Sequence, residues 1–517
     1  MLWRSSGLEK DSVSPQVTPC EPVPRDPATA DPRMDHVTLK DLADTAMQQR
    51  GLEPEFPAAA QQEAEALTPV LVNHDPAMRD LRSLLWCSID NDDSRDLDQL
   101  TVAQQDAGGP LRVLVAIADV DMLVRPGSAI DAHARVNTTS VYTAAGVYPM
   151  LPLRLSTDLS SLNEAQDRAA IVIELCIGAD GVATEGEVYR AWVRNQAQLT
   201  YDGAAAWLDG KAPAPARLAA VPGLEKQLRL QDRAGQALQE ARRRHGALSL
   251  NTNEARPVFL DGVLTDLRAD VGNRAKDMIA GFMIAANGVS ARYLDRKGSP
   301  SLRRLLRVPE RWDKIIAIAA ALGETLPVTP SALALDAFLA KRRAAAPDKF
   351  AELSLSVVKL LGSGEYLMTR PGQPPIGHFG LAVNDYTHST APNRRYPDLI
   401  THRLLKAALR DAPPPFSDAE LSALAAHCTA QEDNAARVER QVRKSAAAVL
   451  LAPRIGQGFD GIVTGVSGKG TWVRISHPIA EGRIVHGFEG LDVADRVRVE
   501  LVAVDAAQGF IDFKRVN

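Results

Sequence analysis

SIDNDDSRDLDQL, residues 88–100, decides how this chain is read. Five aspartates fall within nine residues: Asp90, Asp92, Asp93, Asp96 and Asp98. Such crowding is costly unless solvent or cations offset the repulsion. A solvated acidic loop is the ordinary meaning of a charge run, and two features weigh against it here. Ile89 and Leu97 are apolar and interleaved with the acids, so part of the segment is expected to sit in a core. LLWC, residues 84–87, is able to deliver it from a strand end. Anchoring forces carboxylates together, which favours a hard divalent cation. An EF-hand loop starting at Asp90 needs Gly at its sixth position and Glu at its twelfth. Arg95 and Thr101 stand there, which excludes calcium-loop geometry. A magnesium site needs only a few carboxylates, water and phosphate oxygens completing the octahedron, and Asp90, Asp96 and Asp98 suffice.

Strand and turn signals surround this segment from residue 80 to 270. VLVAIADV (113–120) is a continuous apolar run suited to a buried strand, and IVIELCI (171–177) ends in a tight turn at 178–181. Residues 272–350 turn helical, with AKDMIAGFMIAANGVSARYL apolar at helical spacing. Ser417 and Glu420 form a capping box before a long helix over 419–451. Residues 457–517 read as about five short strands with Gly-rich turns, the count and length of an OB-fold barrel. Upstream, VTLKDLADTAMQQRG and AAAQQEAEAL predict two helices with Gly51 as a C-cap between them, a helix-turn-helix-like pattern. Residues 1–33, rich in Pro, Ser, Thr, Asp and Arg, read as disordered, and Met34 is an alternative start. The expected fold class is α+β. It comprises a tail (1–33), a small helical module (34–79), a catalytic domain with a mixed sheet and helices (80–455) and an S1-like OB-fold barrel (456–517).

Composition bounds the function. The 517 residues suit about three domains. Lys plus Arg total 59 against 64 Asp plus Glu, a net charge of −5. That excludes a basic coat on nucleic acid but leaves room for a local basic channel. Cys20, Cys87, Cys176 and Cys428 are scattered without a CxxC, so reduced thiols are expected rather than a disulfide framework or zinc site. No apolar run approaches the roughly 18–20 residues of a membrane span, and the N-terminus lacks a signal-peptide stretch. A cytoplasmic protein with no membrane partner is expected.

The acidic segment resembles the signature of the RNB family, the ribonuclease II and ribonuclease R type of 3′-to-5′ exoribonuclease. The family motif is Ile-Asp, five residues, then Asp-x-Asp-Asp. Further blocks resemble the family in order: VAIADVDMLVRPGSAID (115–131), TSVYTAAGVYPMLPLRLSTDLSSL (139–162), GFMIAANGVSARYL (281–294), HFGLAVNDYTHSTAPNRRYPDLITHR (378–403) and ARVERQV (436–442). The terminal barrel resembles an S1 domain, and the similarity covers about 80–517.

The resemblance implies hydrolysis of single-stranded RNA from its 3′ end to 5′-nucleoside monophosphates, with one or two Mg2+ ions, by a monomer. Two metal ions about 4 Å apart can activate water, steady the pentacovalent centre and relieve the leaving oxygen. Asp90, Asp96 and Asp98 would be ligands. Gln99 stands at the fourth acidic position and offers a neutral carbonyl oxygen, so weaker binding of one ion is expected. Arg394, in APNRRYP, falls where the family places an arginine near the scissile phosphate, and its fork can stabilise charge in the transition state. Asp96, Asp98 and Arg394 are thus the implied catalytic residues. Ser389, Ala391 and Asn393 depart from the usual Phe, Ser and Ile, and Arg395 is expected to brace the loop by pairing with Asp398. Tyr142 matches an aromatic that stacks on the terminal base, and Tyr201 one close to the terminal nucleotide. Glu439 matches a glutamate near the RNA backbone. Arg304 lies in a block where Leu306 replaces a His. Arg304, Arg395 and Trp472 complete the implied RNA contacts, with Phe459, His477 and His486 forming a stacking platform beside Trp472. Twelve Lys and Arg gather in 290–350 against six acids, and Arg242, Arg243 and Arg244 form another basic run.

Two readings compete with this one. One is an RNA-binding protein on an RNB scaffold with weak or no catalysis, motivated by Gln99. The other, a DNA-acting nuclease, predicts equal rates on the matching DNA strand. Residues 1–79 are too short and too helical for the two cold-shock-type barrels that precede the catalytic domain in ribonucleases II and R.

Overall fold

The computed structural model describes residues 38–516, apart from 71, 73, 74, 106–108, 185, 251–254, 261, 262, 270, 469 and 494. The expectations for the tail and for Met34 lie outside the described residues. The chain opens with α1 (Leu39–Gln48) and α2 (Ala58–Ala66). Gly51 closes the turn after α1 at φ +70°, a conformation that glycine adopts without Cβ strain. The buried face of α1, Ala43, Ala46 and Met47, shares an apolar cluster with Val141, Ala435 and Val438.

The central sheet is built from β1 (Met78–Asp80), β2 (Cys87–Asp90), β3 (Gln99–Gln105), β4 (Leu111–Ala118), β7 (Asp167–Ile177), β8 (Ala183–Thr184), β9 (Val188–Arg194) and β10 (Ala197–Thr200). Helix α3 (Ala129–Asn137) and a hairpin, β5 (Val141–Thr143) and β6 (Gly146–Tyr148), intervene after β4. Its order is β1-β9-β7-β4-β3-β2-β10, with β8 on β7. The neighbours are antiparallel except for the end pairs β1/β9 and β2/β10. Val113 to Ala118 are buried on both faces of β4, as the continuous apolar run requires. Parallel pairing sets Asp90 at the end of β2 directly beside Thr200 at the end of β10.

Helices then cover the sheet: α4 (Tyr201–Leu208), α5 (Ala216–Ala219), α6 (Leu224–Arg244) and, after the hairpin β11 (Ala255–Leu260) and β12 (Val263–Ala269), α7 (Arg274–Arg296). Gly235 lets α6 and α7 approach closely, for a Cβ there would meet the Met278 side chain at 2.8 Å. Strands β13 (Ser301–Leu305) and β14 (Glu365–Thr369) pair across three helices, α8 (Trp312–Ala321), α9 (Ala332–Ala345) and α10 (Pro347–Leu361). These three own a separate core of Trp312, Ile315, Leu335, Phe338, Leu339 and Val357. Helix α11 (Tyr396–Leu409) is buried nearly throughout, and α12 (Asp418–Leu451) starts at the Ser417–Glu420 capping box.

The C-terminal barrel is closed: β15 (Gly458–Ser467), β16 (Gly470–Ser476), β17 (Ile479–His486), β19 (Phe510–Val516) and β18 (Arg496–Asp505), in that order. Ala447, Ala448 and Leu451 of α12 join its core. Phe459 corrects the expected stacking platform. It points into the barrel, edge-on to Phe513 with centroids 6.1 Å apart, because strand alternation turns it inward. Trp472 lies between buried Thr471 and Val473 and is therefore half-buried on the outer face, while His477 and His486 are exposed.

Candidate active site

The acidic segment is anchored as its apolar residues require. Ile89 and Leu97 are fully buried. The Leu97 N–H donates to Ser161 Oγ at 3.0 Å, and the Asp98 carbonyl accepts from the Ala118 N–H at 3.0 Å. Strand β2 delivers Asp90, whose Oδ1 accepts from the Asn91 N–H at 2.8 Å and the Ser94 hydroxyl at 2.9 Å. The loop then returns Asp96 and Asp98 to the same place, just before β3 begins at Gln99.

Opposite them stands the loop before α11. Its buried Asp398 organises the backbone: Oδ1 accepts from the N–H groups of Thr390 at 2.7 Å and Ala391 at 2.8 Å, and Arg395 forks onto both carboxylate oxygens at 2.8 Å. The expected brace is therefore present. The turn aims the Asn393 N–H at Asp98 Oδ1, 3.0 Å away, and Arg394 into the carboxylates. Arg394 Nε lies 2.9 Å from Asp96 Oδ2 and 3.2 Å from Asp98 Oδ2, and Nη2 lies 3.4 Å from Asp90 Oδ2. Nη2 also donates to the Asp96 carbonyl at 3.0 Å.

The electrostatics follow from burial. Asp98 is 1% exposed, and burial pushes its carboxyl up to about 7, with Arg394 pulling against it and Asp96 adding to it. Burial also raises Asp96. Burial opposes charge on Arg394, but Tyr142, Asp98, Asp96 and Asp90 outweigh it and hold the guanidinium charged beyond its ordinary range. Asp98 Oδ2 and Arg394 Nε are both buried without a hydrogen-bond partner despite their 3.2 Å separation. An orphaned carboxylate oxygen among hard oxygen donors fits a divalent cation. Among the described residues, no three His, Cys, Asp or Glu side chains form a metal-holding group by themselves. Arg394 lies among the three aspartates.

The two tyrosines flank this centre. Thr138 to Ser140 docks on Arg394 to Tyr396: the Ser140 N–H donates to the Arg394 carbonyl and the Tyr396 N–H to the Thr138 carbonyl, both at 2.8 Å. That places Tyr142 in β5, where the residue is 46% exposed while its phenol end reaches toward Arg394 and the carboxylates. Glu439 of α12 accepts the Tyr142 N–H at 2.9 Å. Tyr201 is the first residue of α4, next to Thr200 and so beside Asp90. Burial raises both phenols, and Asp90 acts on each in the same direction.

Arg304 is held inside the protein. Its guanidinium donates to Glu432 at 2.9 Å and lies 4.8 Å from the Tyr366 ring centre. Much of the basic run over 290–350 is also engaged: Arg303 with Asp385, Arg307 with Glu365, and Lys341 with Glu324. In the other run, Arg243 pairs with Glu240.

A mixed sheet thus gathers three carboxylates and an arginine at the end of β2, in a chain that closes with a five-stranded barrel. The chain matches the RNB domain over residues 78–411 and the RNase II-type exonuclease C-terminal S1 domain over 457–516. The chain belongs to the RNB family. It is 31% identical over 501 residues to ribonuclease R of Escherichia coli, covering 89% of this chain and 60% of that one. It therefore spans about three-fifths of that relative's length. Mycoplasma genitalium RNase R, solved in complex with ribose methylated single-stranded RNA, superposes with a TM-score of 0.83 at 24% identity, over 92% of this chain and 78% of that one. Yeast Ssd1, described as a pseudonuclease, gives 0.70 at 16% identity, over 89% and 57%. These two likenesses show the fold.

Proposed function

We propose that the chain is a hydrolytic 3′-to-5′ exoribonuclease that degrades single-stranded RNA to 5′-nucleoside monophosphates. We assign residues 34–79 to an N-terminal helical module, 80–455 to the catalytic domain and 456–517 to RNA capture, in a cytoplasmic monomer. The observation that carries the reading is the convergence of Asp90, Asp96 and Asp98 with Arg394 beside Tyr142, in an RNB-family chain with an S1 domain. Related proteins support the substrate class, for Mycoplasma genitalium RNase R has been captured with single-stranded and with double-stranded RNA.

Asp90, Asp96 and Asp98, with Gln99 as a neutral donor, would hold one or two Mg2+ ions. Such an ion supplies Lewis-acid polarisation of the phosphate and a water of lowered pKa. The chain's own residues do the rest. Arg394 exchanges carboxylate for phosphate oxygens and stabilises the charge that builds on the phosphorane. The Asn393 N–H keeps Asp98 oriented. Tyr142 stacks on the terminal base and reads no sequence, since every base offers a π-face. Tyr201 lies against the terminal nucleotide. Glu439 holds the strand that carries Tyr142, and Arg304 and Arg395 brace the walls. Trp472 offers a stacking face on the barrel.

A 5′-labelled single-stranded RNA incubated with Mg2+ tests this: the full chain should leave a short end product, and Asp98→Asn should abolish hydrolysis while binding persists. Unchanged turnover in that variant removes the metal-site assignment. The matching DNA strand should resist. The second reading, an RNA binder with weak or no catalysis, is favoured by Gln99 and by the guanidinium lodged among the carboxylates; tight binding without degradation selects it.

A further inference from the structure

A second basic site lies away from the carboxylates, between α4, α5 and the start of α6. An open cavity of about 770 Å3 there is lined by Lys226, Arg229, Arg233 and Arg274, with Glu225 and Asp232 as its acids. Asp232 is already neutralised, since Arg274 forks onto it at 2.7 Å through Nε and Nη2. Lys226 and Arg233 make no ion pair with any described residue. Arg229 has no carboxylate partner either; its guanidinium lies over the Trp207 ring at 4.2 Å, held flat against the wall. Positions 226, 229 and 233 fall on one helical face, so the three charges point the same way. The uncapped start of α6 at Gly223 adds partial charge of the same sign. With Arg274 and Asp232 cancelling, the exposed Lys226, Arg229 and Arg233 face a single lining carboxylate, Glu225, so the concavity keeps a net positive charge in a chain of net charge −5.

Two elements connect the cavity to the carboxylate centre. Helix α4 begins at Tyr201 and ends at Leu208 in the cavity wall, about 10 Å away at 1.5 Å per residue. On the sheet, Gln227 of α6 accepts the Ala103 N–H at 2.9 Å, five residues along the chain from Asp98 and about 17 Å in strand geometry. An open, solvent-facing groove suits a continuous polyanion better than an enclosed small molecule.

We propose that this cavity binds the phosphodiester backbone of RNA at a point remote from the cleaved end, with Lys226, Arg229 and Arg233 as its phosphate contacts. The proposal rests on the reading of the chain as an RNA-acting enzyme. It is tested on the full chain with fluorescent single-stranded RNA of about four and about twenty nucleotides, bracketing the roughly 4–16 nucleotide footprint of single-strand grooves. Anisotropy is read against salt concentration without divalent metal, for wild type and for Lys226→Ala/Arg233→Ala. Both side chains are exposed and unpaired, so the fold is kept, and Lys226→Gln/Arg233→Gln is a matched second variant. Binding of the long RNA should weaken severalfold, and the slope of log affinity on log salt should fall by about 1.4, two contacts at about 0.7 each. Binding of the short RNA should not change. Equal slopes in wild type and both variants overturn the proposal, as does an equal loss on both lengths. Competition by a nucleoside monophosphate that removes only the wild type's extra affinity also overturns it, in favour of a mononucleotide site. Absence of RNA binding by wild type strikes the proposed function itself and is told apart by that.

Discussion

At the scale of residues, Gln99 is where this chain departs most from the acidic pattern it otherwise keeps. Coulomb attraction to a divalent ion falls when one carboxylate becomes a neutral amide, while oxygen ligation remains open to it. Gln99→Asp should therefore lower the Mg2+ concentration needed for half-maximal hydrolysis, measured by titrating metal at saturating RNA; an unchanged midpoint places Gln99 outside the ion's reach. Tyr142 has a different signature. Base–aromatic stacking contributes about 1–3 kcal/mol per base, so Tyr142→Ala should raise KM roughly 5- to 150-fold. The increase should be similar on poly(A) and poly(U). A loss confined to one homopolymer would mean that the ring reads a base edge instead.

Among elements, the apolar strands and the barrel were legible because periodicity reports burial directly: the run at Val113 is β4, and the Gly-punctuated strands after 457 close into the barrel, whereas the strand-and-turn reading of 80–270 missed α6 (Leu224–Arg244), whose charged face hides its apolar stripe. Of the site, the side chains were legible and their supports were not. The Asn393 N–H that meets Asp98 is backbone, and no side-chain pattern announces it. Arg304 reads as an exposed cation until Glu432, 128 residues later, is brought against it. The same holds for the network that fixes α11. Lys406 Nζ lies 2.9 Å from both Asp119 and Asp121, and Arg403 lies 2.8 Å from Asp121 and Asp131. Burial alone raises Asp119, but Lys406 and Arg190 outweigh it and hold the carboxyl below its usual range. Removing one partner of a buried pair costs about 3–5 kcal/mol because a charge is stranded. Lys406→Met should cost about 3 kcal/mol, the low end because Arg190 still lies 3.3 Å from Asp119. Its check is the denaturant midpoint. Since α11 carries the Arg394 loop, activity should fall at temperatures where wild type is still folded. A stability loss below about 1 kcal/mol would mean that the network contributes little.

For the whole molecule, the most testable consequence of this packing is acid sensitivity through histidine. Burial lowers His388, His402 and His378, the last to about 4 with Arg304 pushing the same way. His378 therefore stays neutral in the folded protein down to about 4, whereas in the unfolded chain it takes up the proton near its ordinary value of about 6.5; His388 and His402 shift in the same direction. Between about 4 and 6.5 the unfolded state binds more protons, so stability rises with pH across that window. The contribution is complete above about 6.5 and is lost as pH falls towards about 4. For His378 it is on the order of 2–3 kcal/mol after allowing for partial solvent screening. Asp98, raised by burial, works in the opposite direction over part of the same range, so the total stability curve mixes the two. The clean readout is a difference. His378→Gln cannot titrate, so the stability gap between wild type and this variant, measured by urea unfolding, should be widest above pH 7 and narrow steadily to pH 4.5. A gap that stays constant across that range would show that His378 is as free to protonate in the folded protein as in the unfolded chain.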